Sequence, residues 1–212
     1  MNEYLKASMI NRLESAKKAL EKNRMETFLV ADCNELTDRL RAMIPAGAVL
    51  CSGGSMTLEE TGVTRLLREP CYDFYSRGRL DAAGQPVDVL RKAFSADWYF
   101  SSSNAITLDG ELYNVDGNAN RVAAISFGPK KVVIIAGYNK IVRNLEEAAE
   151  RVRAIAAPAN CVRLGKKNGC QLTGHCVNCH SADRICCTAT VHSFQRDPER
   201  IKVFLLPMEL GY

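Results

Sequence analysis

What the chain lacks narrows its class first. No run of about 18 apolar residues occurs, and the N-terminal MNEYLKASMINRLESAKKALEKN has no apolar core. Neither membrane insertion nor export is therefore expected, and the cytoplasm is the default compartment. GxGxxG and GxxxxGK[ST] are both missing, so there is no nucleotide fingerprint. Concentrated positive charge is missing too: the formal net charge is only +4, and lysine doublets occur only at Lys17-Lys18, Lys130-Lys131 and Lys166-Lys167. Nothing here resembles a stripe for nucleic acid. The C-x2-C-x2-C run of a bacterial ferredoxin and the second CxxC of a zinc ribbon are absent as well.

The 212 residues, 47% of them hydrophobic, suit one large domain with ample material for a core. Apolar residues at helical spacing predict an amphipathic helix over residues 3–24, lying across the body or against a partner, and a second helix from Met25 to Met43. These make residues 1–45 an N-terminal helical segment, with the remainder, 46–212, forming the main domain. There, Ala48 to Cys51 reads as a short buried strand, followed by the turn Ser52-Gly53-Gly54-Ser55 and a helix from about Thr57. A helical stretch around Val87 to Phe94 and a strand at Trp98-Tyr99-Phe100 come next. Leu112 to Val115 and Val122 to Ser126 are predicted to form a hairpin around Asp116-Gly117-Asn118. The near-continuous apolar run KVVIIA (Lys131 to Ala136) fits a central strand buried on both faces. Asn144 to Ala157 reads as a helix, and Ile201 to Leu206 as a last strand. Alternating strands and helices predict an α/β fold, mainly parallel, flanked by helices, with a hairpin insertion and a cysteine-rich C-terminal segment.

Two regions carry chemistry-bearing residues. The glycine turn between strand and helix is a candidate cradle for an anion, because free amide groups at a helix start attract phosphate or carboxylate; as a lone motif it serves equally as a tight turn capped by Ser55 or Thr57. Ser102 to Val142 packs Asn114, Asp116, Asn118, Asn120 and Arg121 among apolar runs, which is the composition of a binding rim and also of a wide polar loop.

The segments CSGGSMTLEETGV (Cys51 to Val63) and SSNAITLDGELYNVDGNANRVAAISFGPKKVVIIAGYNKIV resemble the two signature regions of the lactate-utilisation (LUD) domain family, with agreement from about Ala48 to Leu210. The resemblance implies a fold similar to the ribose-5-phosphate isomerase and coenzyme A transferase superfamily. It also implies a link to bacterial oxidation of lactate to pyruvate, in systems whose partner proteins hold iron–sulfur clusters. Carried over by position, the pattern marks Gly54, Ser55, Thr57 and Glu59 in the first region. In the second it marks Asn104, Ala105, Asp116, Gly117, Asn120, Arg121 and Lys140. Of these, Glu59 is a candidate general base or nucleophile, or a carboxylate that simply favours its helix dipole. Arg121 is a candidate clamp for a carboxylate or phosphate, or a structural ion pair. Lys140, just past the buried strand, stands where α/β sheets present ligand-binding groups, although exposed lysines are common. Gly54, Ser55, Thr57, Asn104, Asp116 and Asn120 complete the expected substrate site.

Six of the nine cysteines fall between residues 161 and 187. Cys176 and Cys179 form a CxxC pair flanked by Cys170 and Cys186, a candidate thiolate set for zinc or an iron–sulfur cluster, with Cys161, Cys187, His175 and His180 as substitutes. A thiol–disulfide switch and inert buried thiols are the alternatives. These readings describe an enzyme or subunit acting on a small organic acid, or on its phosphorylated or coenzyme A derivative. The alternative is an accessory or redox-sensing protein docked on oxidoreductase partner subunits.

Overall fold

A computed structural model describes residues 2–212. Six strands form an all-parallel main sheet in the order β1 (Glu26–Leu29), β10 (Ile201–Leu206), β7 (Lys131–Gly137), β4 (Trp98–Ser101), β2 (Val49–Ser52) and β3 (Asp73–Tyr75). A second sheet of four strands has the order β8 (Ile141–Val142), β5 (Ala105–Thr107), β6 (Leu112–Asp116) and β9 (Thr188–His192). Among the described residues, no helix is long and apolar enough to cross a membrane.

The apolar run KVVIIA is central, as expected, and its period-two geometry explains why it is apolar throughout. Val132, Ile134 and Ala136 enter one core with Tyr99, Val203 and Leu205, whereas Val133 and Ile135 enter the other with Leu50, Phe100 and Phe204. Helix α1 (Glu3–Lys22) covers the first core by burying Leu13, Ala16 and Leu20, so its apolar stripe lies across the body. Helices α2 (Cys33–Met43), α3 (Met56–Glu60) and α4 (Val63–Leu67) cover the second through Leu36, Leu40, Leu58, Leu66 and Leu67, and a short helix α5 (Val89–Lys92) precedes β4. Each buried leucine contributes roughly 1.5–3 kcal/mol relative to exposure.

Three expectations need correction. The predicted helix over 25–43 is a strand followed by a helix: Glu26–Leu29 pairs with β10, and Asp32 caps α2 by accepting from the Asn34 and Glu35 amides at 2.8 and 2.9 Å. The spacing of Phe28, Leu36 and Leu40 suggested one helix face because both elements send apolar side chains into the same layer, whereas Leu29, next along the strand, faces the other core. Residues 1–45 therefore hold an edge strand of the main sheet as well as helices. The predicted hairpin of Leu112–Val115 with Val122–Ser126 is also absent. The Asp116 carboxylate accepts from the Arg121 and Val122 amides at 2.9 and 3.0 Å, starting helix α6 (Asn120–Ser126), while β6 pairs with β5 and β9. Thirdly, the predicted helix 144–157 continues to Arg163 as α7 (Leu145–Arg151), a π-helical turn over Val152–Ala156 and α8 (Ala157–Arg163). Pro158 has no amide hydrogen and its ring would clash with the carbonyl four residues back, which the widened turn accommodates.

Candidate functional site

In open parallel sheets the strand C-termini converge on the ligand crevice. Here β2 runs into Gly53-Gly54-Ser55, β4 into Ser102-Ser103-Asn104, β7 into a short turn over Tyr138–Lys140, and β10 into the segment that ends Leu210-Gly211-Tyr212. These four exits surround a cleft of about 110 Å³, with Asp116, Arg121, Asn160 and Arg163 completing its walls. At roughly 10–15 Å³ per water-sized sphere, this suits a ligand of about seven to eleven heavy atoms at most.

The first region was expected to cradle an anion at its helix start. In the structure α3 is only five residues long, and the Ser55 hydroxyl itself caps it by accepting from the Leu58 amide at 3.4 Å. The turn works instead by closeness. A Cβ on Gly53 would lie 2.9 Å from the Tyr99 hydroxyl and 3.0 Å from Cδ of Arg121, so only glycine lets β2 and α6 approach so nearly.

Arg121 occupies the centre of the second region, and all five of its N–H donors are engaged. Nε reaches Asp116 at 3.1 Å; one terminal nitrogen reaches the Ser102 carbonyl and Asn114 Oδ1 at 3.0 and 2.6 Å; the other reaches Asn104 Oδ1 and the Val115 carbonyl, both at 2.9 Å. With five donors in total, a guanidinium so placed keeps none free for a two-point clamp on a ligand. Arg121 shapes the wall and lends it positive charge, and Asp116 and Asn104 belong to the same network. Asn104 Oδ1 also accepts from the Val115 amide at 2.8 Å.

Lys140 is different. Its side chain is buried (3% exposed) and Nζ donates to Thr57 Oγ1 and Ser102 Oγ, each at 2.9 Å. Among the described residues no carboxylate forms an ion pair with it. Burial above all, then the charges of Arg151 and Arg121, pulls the ammonium down from 10.5 to about 7, with Glu60 opposing. Arg151 is itself buried and ties the site together, donating to the Asn139 carbonyl at 2.9 Å and the Asn104 carbonyl at 2.7 Å. Gly211 closes the opposite side. Its φ is +55°, and a Cβ there would lie 2.9 Å from Thr57 Oγ1 and 3.5 Å from Lys140 Nζ.

The structure thus brings Gly54, Ser55, Thr57, Asp116, Asn104, Arg121 and Lys140 to one cleft. It places Glu59 and Asn120 elsewhere, on a neighbouring hollow of about 170 Å³ that shares Gly54 and Ser55 as a ridge and is lined by Arg68, Arg77, Phe74, Tyr75 and Tyr99. The two expected catalytic groups, Glu59 and Lys140, therefore open on different hollows. Ala105 is fully buried in the β5 strand, and a Cβ on Gly117 would lie 3.3 Å from Cα of Ile185. Sequence reasoning missed Ser102, Asn160, Arg163, Gly211 and Tyr212. Ser102 alone carried a signal, three serines directly after an aromatic strand; the others reach the cleft from segments distant in sequence.

Cys170 lies against Cys161, sulfur to sulfur at 3.5 Å, both buried. Cys176, Cys179 and Cys186 are half-buried and Cys187 is exposed. Among the described residues no three His, Cys, Asp or Glu side chains are grouped so as to hold a metal ion. The segment docks on the second region, the Cys187 amide donating to the Asp116 carbonyl at 2.8 Å.

An α/β sheet with a crevice built from two such signature regions defines the class, and comparison with known families agrees. The LUD domain family matches residues 13–206, and the chain belongs to that family, which links it to lactate utilisation. Among solved structures, the crystal structure of a DUF162 family protein from Deinococcus radiodurans is similar, with a TM-score of 0.53 and 16% identity over 95% of this chain and 98% of that one. At that identity the likeness shows the fold. Comparison with curated proteins finds no match.

Proposed function

We propose that the cleft binds a short hydroxy or oxo acid of the lactate and pyruvate type, and that the chain acts on it as enzyme or subunit in lactate utilisation. The observation that carries this reading is Lys140: a buried amine with no carboxylate partner, beside two guanidinium charges, in a cleft of about 110 Å³ that has room for a short acid. An anion is the ligand such a site favours. Arg163 engages Asn160 and Tyr212 through Nε and one terminal nitrogen, and its other terminal nitrogen has no partner among the described residues. The acid's carboxylate is assigned to Arg163 at the mouth, which leaves the C2 oxygen near Lys140 for proton transfer. A phosphorylated or coenzyme A extension would lie over the Gly54–Ser55 ridge towards Arg68 and Arg77.

Calorimetric titration with L-lactate, D-lactate, pyruvate and glyoxylate tests the reading. Saturable binding that is lost in Arg163→Ala supports it, and absence of binding across this panel and its coenzyme A thioesters refutes it. A zinc or iron–sulfur site in residues 161–187 rests on the sequence spacing and is a separate proposal. Its four thiols would require Cys170 to leave Cys161. One zinc per chain, or a brown chromophore, in anaerobically purified protein supports it; neither refutes it.

A further inference from the structure

Hydrogen-bond geometry around Lys140 goes beyond binding. An ammonium has three N–H donors and a neutral amine has two donors and a lone pair. Two acceptors, Thr57 Oγ1 and Ser102 Oγ, lie at 2.9 Å from Nζ, and both hydroxyls have their own hydrogens directed at carbonyls, Thr57 towards Leu210 and Ser102 towards Ser103, each at 3.4 Å. The protein therefore supplies partners for the donors of an uncharged amine and leaves its lone pair unengaged. Lys140 lines the same cleft as the Ser102-Ser103-Asn104 turn, so that lone pair has access to a bound ligand.

We propose that Lys140 is a carbonyl-capturing nucleophile, forming an imine with the C2 carbonyl of a bound 2-oxo acid. Nζ adds its lone pair to the carbonyl carbon, the carbon–oxygen π pair moves to oxygen, and a proton shifts from nitrogen to oxygen to give a neutral carbinolamine. The carbon–oxygen bond then breaks, and oxygen leaves as water with one proton from solvent; the nitrogen lone pair forms the C=N bond of a protonated imine. No oxidant or reductant is consumed. The Thr57 and Ser102 hydroxyls, each hydrogen-bonded to Nζ, hold the amine in place and carry protons between nitrogen and oxygen. Burial makes the step feasible at neutral pH, since an exposed lysine is almost wholly protonated there.

This inference rests on the proposed oxo-acid binding, and the test separates the two. Intact protein is incubated with pyruvate or glyoxylate and sodium cyanoborohydride at about pH 7, digested, and mapped by mass spectrometry, while calorimetry on the same preparation measures reversible binding. The expected result is one reduced adduct per chain on the peptide containing Lys140, at least ~10-fold above any other lysine, and absent when lactate replaces the oxo acid. Mapping uses the wild-type chain, so the result does not depend on a variant folding; Lys140→Met, checked by circular dichroism, should lose the adduct. Binding of the oxo acid without an adduct at Lys140, or adducts spread evenly over surface lysines, overturns the imine and leaves the binding reading intact. No binding and no adduct overturns both.

Discussion

Replacing Lys140 by methionine, nearly its equal in length but unable to ionise, isolates the effect of burying an amine. In the unfolded chain the lysine titrates near its ordinary value of 10.5; in the folded chain it titrates at about 7. Below pH 7 both states hold the proton, and stability contributed by this group does not change with pH. Between about pH 7 and 10.5 the unfolded chain binds a proton that the folded chain does not, so stability rises with pH. Each pH unit in that window is worth about 1.4 kcal/mol, or ~5 kcal/mol across it as an upper bound. Lys140→Met removes that dependence. It also removes two hydrogen bonds, of about 1 kcal/mol each, but that loss is the same at every pH. Urea unfolding of both proteins at intervals from about pH 6 to 10 should therefore give a difference that is flat near pH 6 and moves steadily in favour of the wild type above 7. Comparing the two proteins cancels the titration of all other groups. A difference that stays flat through pH 9 would show that Lys140 keeps its charge in the fold, and the argument for a neutral nucleophile would collapse with it.

Other substitutions test other parts of the site. Arg121→Ala removes five hydrogen bonds, takes the charge partner from the partly buried Asp116 and leaves Oδ1 of the fully buried Asn114 without a partner. A loss of about 3–5 kcal/mol in chemical unfolding is expected; a loss below ~1 kcal/mol would mean that the network is not structural. Gly211→Ala places a methyl at 2.9 Å from Thr57 Oγ1 on a backbone with positive φ, so acid binding should weaken at least ~10-fold with a stability loss of about 1 kcal/mol or more. Unchanged calorimetry would remove Gly211 from the cleft wall. Under native alkylation with iodoacetamide, the exposed Cys71 and Cys187 should react well before Cys51, Cys161 and Cys170, which are buried. Early labelling of Cys161 or Cys170 would contradict the packing of residues 157–173.

Much of the fold was legible because its strands carry period-two or continuous apolar patterns. The runs KVVIIA and IKVFLL are buried on both faces and look so in the sequence. Strand β1 was not legible, because ETFL adjoins an amphipathic helix and Phe28 shares the apolar layer of that helix while Leu29 faces the other core, so the change of period falls inside one apolar series. Strand β9, TATVH, was missed for the opposite reason: it is half exposed and its partner β6 lies far away in sequence. At the site, the family motif found the wall residues but not their roles. Arg121 reads as a free cation until the carbonyls of Ser102 and Val115 are seen to occupy it. Nothing local in the sequence marks Asn160 or Arg163, since their place depends on how α8 is set against the sheet.

That placement hinges on the π-helical turn at Val152–Ala156. Successive residues of a regular helix are rotated by about 100° and advance by ~1.5 Å. A wider turn absorbs one extra residue without lengthening the path between its flanks. Rewinding those same residues as regular helix, with none removed, would swing everything downstream by roughly a quarter of a revolution. Asn160 and Arg163 would then look away from the sheet, while the bases of β2, β4 and β7 stayed as they are. The local bulge, by taking up one residue more than a regular turn holds, keeps a distant pair of polar side chains aimed at the crevice without any change to the strands that form it.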